Sequence, residues 1–540
     1  MPEPIAEFIS AYEADCGYKA LTAPVCPSPP NQYLLATPNI QEQDNTYFSL
    51  TMRLSVGALL GLTALSHAAS SEKRAASASA YCSNSAGNYK LSSIAAPVQG
   101  AGTPGSESTW QLTIDDTSSG HKQTIVGFGA AVTDATVTSF NTLSASVLQN
   151  LLNTLMTSAG ANFALMRHTI GASDLSGDPA YTYDDNGGNA DPSLSGFNLG
   201  DRGTAMAKML AAMKSLQPNL KIVGSPWSAP GWMKLNGVID GNTNNNNLND
   251  GYLTSGGTGS TGYASQFAQY FVKYIQAYQN LGAHVDAITI QNEPLFSSAG
   301  YPTMYIYDYE SAELIQKYVG PALASAGLNT EIWAYDHNTD VPSYPQTVLN
   351  QAGQYVKSVA WHCYAPNVNW TVLSQFHNTN PGIKQYMTEC WTPASGSWNQ
   401  AADFTMGPLQ NWASGVAAWT LGTNAQDGPH LSTGGCATCT GLVTINNGGY
   451  TLNTAYYMMA QFSKFMPPGA IVLNGSGSYT YSGSGGIQSV ASLNPDGSRT
   501  VVIENTFGND VYVTVTTKSG QKWSGNVPSQ SVTTWVLPAA

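Results

Sequence analysis

Two glutamates lie at the ends of short strand-like segments. Their carboxyl groups are capable of acid–base and nucleophilic chemistry. Residues 287–293 alternate β-branched and polar side chains, as a barrel strand does, and the segment ends at Glu293 because Pro294 has no N–H to donate. Residues 383–389 form a similar segment that ends at Glu389. Two carboxyl groups facing one cleft can protonate a leaving oxygen and attack a carbon or activate water, which is the chemistry of glycosidic bond cleavage.

Eight strand-like segments alternate with helical ones over roughly residues 121–466, and the helical periodicity is clearest at 144–158, 205–216, 263–281, 308–326 and 454–465. The strand segments are 123–130, 162–170, 221–225, 287–293, 331–336, 359–364, 383–389 and 416–421. This alternation predicts an α/β fold, a (β/α)8 TIM barrel, in which chemistry lies at the C-terminal ends of the strands. Glu293 and Glu389 then end the fourth and seventh strands. A doubly wound sheet is the alternative, but no glycine-rich nucleotide turn follows the first strand.

The helical periodicity stops after Pro467-Pro468-Gly469, and the last residues alternate as short strands joined by turns. We therefore expect a side β-sandwich domain built from the N-terminal and C-terminal segments. The predicted organisation is N-terminal strands over 75–118, a catalytic barrel over 119–466 and a C-terminal sandwich over 467–540.

The N-terminal residues carry a targeting pattern in an unusual place. A basic start at Met52-Arg53, an apolar run over 54–65 and a small-residue end predict a signal peptide and dibasic pro-segment over 52–74. Residues 1–51 fit no such pattern, and we interpret them as an unexplained extension from a mis-chosen start codon. The alternative is a genuine extra segment that makes 54–65 an internal helix.

The composition of the chain limits the classes of molecule that it is expected to bind. The 540 residues carry a net charge of −13, so nucleic acid and anionic membranes are not expected partners. After the signal segment, no apolar run reaches the roughly 20 residues of a membrane span. The 12 Trp and 29 Tyr suit a polysaccharide substrate. We expect a secreted, extracellular monomer that needs no cofactor.

Five cysteines follow the dibasic site, which allows at most two bridges among them. Cys436 and Cys439 are either a zinc half-site with His430 or a small loop disulfide. We favour the disulfide and expect no metal, because no second Cys/His pair has metal spacing. Cys363 and Cys390 are either buried thiols or a bridge.

Motifs spread over most of residues 121–540 give a resemblance to glycoside hydrolase family 30. They are Gly127–Asp134, Met166-Arg167-His168, Ser173–Ser176, Ser225–Lys234, Asn292-Glu293-Pro294 and Thr388-Glu389-Cys390. The resemblance implies a barrel fused to a side sandwich, with Glu293 as acid/base, Glu389 as nucleophile and net retention of configuration. To act as an acid, Glu293 must hold a proton at the start of the reaction. We therefore expect its pKa to be raised by apolar surroundings at the end of the strand and by the charge of Glu389.

Seven further side chains are predicted to bind substrate. They are Arg167, Asp174, Trp227, Asn292, His362, Tyr364 and Trp419. The resemblance places Arg167 beside the nucleophile, although it could instead pair with Asp174 structurally. Asn292 is expected to contact the sugar 2-hydroxyl, and Tyr364 to donate to Glu389. Core packing is the alternative for Trp227 and Trp419, and a satisfied structural role is the alternative for His362.

Within this family, the chain most resembles secreted fungal members that cleave β-1,6-glucan. We therefore expect a retaining hydrolase of β-1,6-glucan that acts by double displacement. Glucosylceramidase is the nearest alternative, followed by xylanase and β-1,6-galactanase. A carbohydrate-binding protein with an inactive barrel is the non-enzyme alternative, disfavoured because Glu293 and Glu389 are both present. The Asn/Gly/Ser-rich segment 236–263 is expected to rim the cleft.

Overall fold

Five short strands precede the barrel in the described part of the chain. The computed structural model describes residues 77–242, 247–248, 262–391, 398–481 and 485–540. The predicted extension, the predicted signal segment and most of the predicted rim segment 236–263 lie outside these described residues. The first strands are β1 (Ser79–Asn84), β2 (Ser92–Ile94), β3 (Val98–Gln99), β4 (Ser108–Asp115) and β5 (His121–Thr124).

Eight parallel strands then close into a barrel in chain order, with the last strand pairing with the first. They are β6 (Gly127–Val132), β7 (Leu165–Ile170), β8 (Lys221–Pro226), β9 (Ala287–Thr289), β10 (Glu331–Asn338), β11 (Val356–His362), β12 (Lys384–Glu389) and β13 (Ala413–Ala418). This confirms the predicted (β/α)8 barrel. Gly129 is required where β6 meets β7, because a Cβ there would lie 1.8 Å from the Leu165 carbonyl oxygen.

Helices cover the barrel strands from outside. They are α1 (Asp134–Phe140), α2 (Ala145–Met156), α3 (Gly200–Leu216), α4 (Ala264–Asn280), α5 (Asp308–Glu313), a π-helical turn (Leu314–Val319), α6 (Gly320–Ser325), α7 (Ser343–Ala352), α8 (Thr371–Thr379) and α9 (Trp398–Gln410). Ser144 caps the N-terminus of α2, because its side-chain oxygen accepts a hydrogen bond from the Val147 N–H. The apolar stripe of α2, including Leu151, Leu152 and Leu155, is buried against the sheet.

The barrel interior is filled with side chains and is not a channel. Trp333 and Tyr386 stack with ring centroids 3.9 Å apart, and they belong to a buried interior cluster with Leu165, Val223 and Ala360. Because the interior is packed, a substrate can enter only at the rim.

The chain then forms a short sheet, a last helix and a sandwich. These elements are β14 (Gly422–Asn424), β15 (Val443–Asn446), β16 (Gly449–Leu452), α10 (Thr454–Ser463), β17 (Ile471–Ser476), β18 (Tyr479–Tyr481), β19 (Gly485–Leu493), β20 (Arg499–Asn505), β21 (Val511–Thr517), β22 (Lys522–Val527) and β23 (Ser531–Leu537). Strand β1 pairs antiparallel with β23, and β4 pairs parallel with β21. Residues from both chain ends, including Leu112 and Trp535, share one buried core.

The sandwich contacts the barrel through a buried polar group. The amide nitrogen of Gln488 on β19 donates to Asp403 of α9 at 2.7 Å and to Glu504 of β20 at 2.6 Å. Burial, followed by the charge of Asp403, raises the pKa of Glu504 well above its ordinary value. Within the described residues, no helix is both long and apolar enough to cross a bilayer.

Candidate active site

Glu389 is placed at the barrel rim by strand β12, of which it is the last residue, as the sequence predicts. The residue is only 6% exposed. Arg167 on β7 donates from Nη1 to Glu389 Oε2 at 2.7 Å, and burial, followed by the charge of Glu389, raises the pKa of the Tyr364 hydroxyl. The carboxylate is therefore held by a charge-assisted hydrogen bond from a buried cation.

Glu293 does not end a strand, in contrast to the sequence-based expectation. Strand β9 stops at Thr289, and Glu293 lies in the turn that follows, with a left-handed φ of 46°. Two backbone hydrogen bonds hold this turn, from the Asn292 N–H to Pro226 O at 2.8 Å and from the Glu293 N–H to Asp336 O at 3.0 Å. These contacts tie Glu293 to the neighbouring strands, because a left-handed non-glycine residue persists only where its surroundings enforce it.

The two glutamates face each other across a short gap. One side-chain atom from each of Glu293, His362 and Glu389 lies within 4.8 Å of the other two. His362 Nδ1 is 3.0 Å from Glu293 Oε1 and 4.0 Å from Glu389 Oε1. His337, which the sequence did not single out, adds a second imidazole 3.9 Å from Glu293.

Arg167 connects Glu389 to the residues around Glu293. Besides Glu389, its guanidinium donates to Asn292 Oδ1 at 2.5 Å and to Asp336 Oδ2 at 2.9 Å. Its guanidinium carbon lies 4.8 Å from the centre of the Trp227 ring. Arg167 thus lies beside Glu389, as expected, and its ion-pair partners are Glu389 and Asp336, whereas the structural alternative had named Asp174.

Asp336 on β10 is the central residue that sequence reasoning missed. Its carboxylate is fully buried and accepts five hydrogen bonds. The donors are Arg167 Nη2 (2.9 Å), Ser225 Oγ (2.7 Å) and Thr289 Oγ1 (2.9 Å) to Oδ2, and His362 Nε2 (3.0 Å) and Thr388 Oγ1 (2.7 Å) to Oδ1. The sequence did place Asp336 at the end of a predicted strand, where site residues are expected. Its inward position could not be predicted, because Tyr335 and Asp336 adopt φ of 80° and 70° at a register shift in the strand pairing.

His362 has no ring nitrogen left for a sugar. It is fully buried on β11, with Nδ1 on Glu293 and Nε2 on Asp336. The structure thus places His362 as a partner of Glu293 and Asp336, where the sequence predicted a substrate contact. Burial lowers the pKa of His362, but the carboxylates of Glu389, Asp336 and Glu293 outweigh this and raise it to about 9.

The pKa values of the two glutamates follow from this imidazolium. Burial raises the pKa of Glu293, but the hydrogen bond and charge of His362 outweigh burial and hold it below its ordinary value. The expected rise was therefore wrong for the free site, because the proton resides on His362. Burial raises the pKa of Glu389 above its ordinary value, with opposition from His362 and Arg167. These groups titrate as one coupled set.

The remaining predicted residues line the cleft beside Glu389. Trp227 and Trp419 are almost completely buried, with ring centroids 5.3 Å apart, so they pack as the floor. Tyr364 is 39% exposed at the mouth. Burial and the charges of Glu389 and Glu293 raise the pKa of Asp174 to about 7. The structure thus brings all the predicted site residues to one end of the barrel.

Two clusters in the described part of the chain have metal-ligating atoms within 4.8 Å of one another. The first consists of Glu293, His362 and Glu389. Its His362 Nδ1 is already hydrogen-bonded to Glu293, and Glu389 already accepts a hydrogen bond from Arg167. The second joins Asp174 to Cys436 and Cys439, whose sulfurs form a disulfide, as predicted. A further disulfide links Cys363 to Cys390, and Cys82 is a buried free thiol. Neither cluster offers a free set of ligands.

Similar proteins share both the sequence and the fold. An endo-1,6-β-D-glucanase of Aspergillus fumigatus is 94% identical over 91% of this chain and 100% of its own length. An endo-1,6-β-D-glucanase of Trichoderma harzianum is 73% identical over 90% of this chain and 99% of its own. A solved endo-β1,6-glucanase, 26% identical, covers 86% of this chain and 100% of its own with a TM-score of 0.74.

Two family models match consecutive parts of the chain. The glycosyl hydrolase family 30 TIM-barrel domain matches residues 125–466, and the family 30 β-sandwich domain matches residues 471–535. The first match includes Arg167, Glu293, Asp336, His362 and Glu389. The chain therefore belongs to glycosyl hydrolase family 30.

Proposed function

We propose that this protein is an endo-acting hydrolase of β-1,6-glucan that retains the anomeric configuration. The observation that carries the mechanism is the approach of Glu293 and Glu389, whose carboxylate oxygens come within 4.8 Å. Retaining enzymes hold their carboxyl groups about 5–5.5 Å apart, whereas inverting enzymes leave about 6.5–9.5 Å for a water molecule. The proposed substrate rests on the fungal relatives at 94% and 73% identity, which are endo-1,6-β-D-glucanases.

The first step joins the sugar to the enzyme. Glu389 Oε attacks the anomeric carbon while the glycosidic C–O bond breaks, and the departing oxygen receives a proton from Glu293. In the second step Glu293 removes a proton from water, and the water oxygen displaces Glu389 from the anomeric carbon. Arg167 at 2.7 Å keeps Glu389 ionised before attack and stabilises it again as it leaves.

The proton for the first step comes from the Glu293–His362 pair. In the free site it lies on His362 Nδ1, 3.0 Å from Glu293. Substrate entry displaces water from the gap and disfavours separated charges, which moves this proton onto Glu293. Asp336 keeps the other ring proton on Nε2, so that Nδ1 is the nitrogen that exchanges a proton with the acid.

Sugar recognition uses the polar and aromatic groups around the pair. Asn292 Oδ1 accepts a hydrogen bond from Arg167. The amide N–H groups of Asn292 therefore remain to donate to the 2-hydroxyl of the sugar. Asp174 accepts sugar hydroxyls, above the floor formed by Trp227 and Trp419. Exposed Phe296 and its stacked neighbour Tyr301 extend an aromatic surface from the loop after β9, which suits a polymer.

Secretion as a monomer belongs to the same proposal. It is supported by the targeting pattern at 52–74 and by the disulfides Cys363–Cys390 and Cys436–Cys439, which persist in oxidising compartments. N-terminal sequencing of the protein from culture medium tests the cleavage site. Gel filtration tests the monomer.

The decisive experiment combines substrates with variants. Linear β-1,6-glucan, β-1,3-glucan, xylan and glucosylceramide are incubated with the enzyme, and we expect oligosaccharides from β-1,6-glucan alone. Glu389→Gln should lose at least about 10⁴-fold in kcat. Glu293→Gln should still form the glycosyl-enzyme from substrates with good leaving groups, which need no protonation. Glu313→Gln, far along the chain on α5, is the matched control and should keep full activity.

Two results contradict the proposal. Release of ceramide, or of oligosaccharides from xylan alone, would overturn the substrate. Near-normal activity of Glu389→Gln, with a native Tm, would overturn the nucleophile. Product stereochemistry followed by NMR checks retention independently of both.

A further inference from the structure

The loop between β7 and α3 contains a buried carboxylate with no hydrogen-bonding partner. Asp184 is only 1% exposed, and neither of its carboxylate oxygens has a hydrogen bond or an ion pair among the residues that the structure describes. A buried, unpaired carboxylate is strongly disfavoured unless it is neutralised by a proton, a cationic side chain or a metal ion. This loop lies outside the catalytic cluster, so the mechanism does not account for the residue.

Oxygen atoms from three residues converge next to Gly196. A Cβ placed on Gly196 would lie 3.0 Å from Asp184 Oδ1, 3.3 Å from Asp191 Oδ2 and 3.6 Å from Asn186 Oδ1. The Asn186 amide nitrogen donates to Asn189 O at 3.2 Å, which fixes the orientation of the side-chain amide. The three oxygens therefore lie around the position that a side chain at residue 196 would occupy, and Asp191 Oδ2 also accepts from the Gly196 N–H at 2.6 Å.

The charges around this space are not balanced by protein cations. Burial, followed by the charges of Asp191 and Asp185, raises the pKa of Asp184 to about 6, and the charge of Lys273 opposes this. Asp185 directs its own carboxylate to Thr182 and so is not part of the convergent set. Asp191 accepts hydrogen bonds from Ser193, Ser195 and the Gly196 N–H, so its charge is met by neutral donors. The charge of Asp184 is met by no donor in the described part of the chain.

We propose that Asp184, Asn186 and Asp191 bind a calcium ion. Their donor atoms are all oxygens, two of them charged, which suits a hard divalent cation and excludes a zinc-type nitrogen or sulfur site. Backbone carbonyls and water complete a shell of 6–8 oxygens in typical calcium sites, at about 2.3–2.6 Å. Magnesium fits less well, because it demands a near-ideal octahedron and gives up water reluctantly.

The ion would fasten the loop that carries Asp174 to the barrel rim. The Asp184 carbonyl accepts from the Trp232 indole N–H at 2.8 Å, and the Asn198 N–H donates to the Tyr183 carbonyl at 2.7 Å. Calcium at this position therefore links the second βα loop to the third. Its removal should loosen both loops and lower the Tm.

The test uses the full-length enzyme after treatment with a chelating resin. We expect isothermal titration with CaCl2 to show one ion per chain, with a Kd of roughly 10⁻⁵ to 10⁻³ M, and at least tenfold weaker binding of MgCl2. At a hundredfold excess of calcium over Kd, Tm should rise by about 3 °C. Absence of calcium binding to the wild-type protein at 10 times the upper Kd would overturn the proposal.

Three variants locate the ion. Asp184→Asn removes the charge and should weaken calcium binding at least tenfold, while Asp185→Asn removes the same charge one residue away and should change it less than threefold. Gly196→Ala keeps both carboxylates and crowds the space, so it should also weaken binding. Equal calcium affinity of Asp184→Asn and the wild type would overturn the site. Higher stability of Asp184→Asn with and without calcium would also do so, because it would mean that Asp184 is simply protonated.

Discussion

Replacing Asp336 by Asn tests whether this buried carboxylate controls the proton of Glu293, the proposed acid catalyst. The variant keeps the size of the side chain but turns one acceptor oxygen into an N–H2 donor. That donor cannot face Arg167, which has only N–H groups to offer. It therefore takes the position of Oδ1, where it meets His362 Nε2 and Thr388 Oγ1.

The consequence for His362 follows from this orientation. Its Nε2 must now accept a hydrogen bond, so its one remaining proton lies on Nδ1 and points at Glu293. Glu293 is then held as the anion and cannot protonate a leaving group. We expect kcat/KM on β-1,6-glucan to fall about 10³-fold, equivalent to about 4 kcal/mol.

The same substitution also destabilises the fold. Hydrogen bonds to charged groups contribute about 1.5–3 kcal/mol each, and removing one partner of a buried pair costs about 3–5 kcal/mol. With an unfolding entropy near 1 kcal/mol/K for a chain of this size, Tm should fall by about 3–5 °C. The kinetic effect should therefore be far larger than the unfolded fraction explains at assay temperature.

The assay compares two substrates. An aryl β-glucoside with a good leaving group needs no protonation, so Asp336→Asn should slow its first step less than tenfold. The control is Thr388→Val, which removes one neutral donor to Asp336 and leaves both charged ones. It should change kcat/KM less than tenfold on either substrate. Equal losses on the glucan and the aryl glycoside would refute the role of Asp336 in proton placement.

Two further predictions concern pH. The proposed mechanism requires ionised Glu389, whose pKa is raised above its ordinary value of about 4.5, and a proton on the Glu293–His362 pair, whose imidazole has a pKa of about 9. His362→Asn removes a cation that lowers the pKa of Glu389 and a group that holds the proton up to about pH 9. The acidic limit of kcat/KM should therefore move to higher pH and the alkaline limit to lower pH, and an unchanged alkaline limit would contradict this. The pKa of Glu504 is raised on folding, so its contribution to stability is complete below about pH 4.5 and is lost as the pH rises. Glu504→Gln should therefore flatten the decline of Tm as the pH rises above about 4.5, whereas a parallel shift of the whole curve would contradict this.

Much of the architecture is readable in the sequence because it depends on repeated local patterns. Strand-like segments separated by amphipathic helices allow few arrangements other than a (β/α)8 barrel. Glu389 could be located because β12 is regular up to its last residue. The disulfide Cys436–Cys439 was predictable for a similar reason, since the two cysteines are close in sequence.

The features that escaped prediction depend on irregular backbone and distant contacts. Glu293 and Asp336 adopt left-handed φ values that only their neighbours enforce, and nothing in the local residue types indicates these conformations. The pKa of Glu293 was wrongly expected to rise because the position of His362 was unknown. That histidine is 69 residues away in sequence and 3.0 Å away in space.

The charges of the site explain why its groups must act together. Arg167 and protonated His362 face the carboxylates of Glu293, Asp336 and Glu389, so the cluster carries one excess negative charge. A neutral sugar gains little from that charge, whereas an oxocarbenium-like transition state carries a developing positive charge beside it. The cluster is therefore more complementary to the transition state than to the substrate. Loss of Arg167 would leave a second negative charge, which would bring a proton onto Glu389 and remove the nucleophile. The cation that stabilises the resting site is thus also a condition for the reaction.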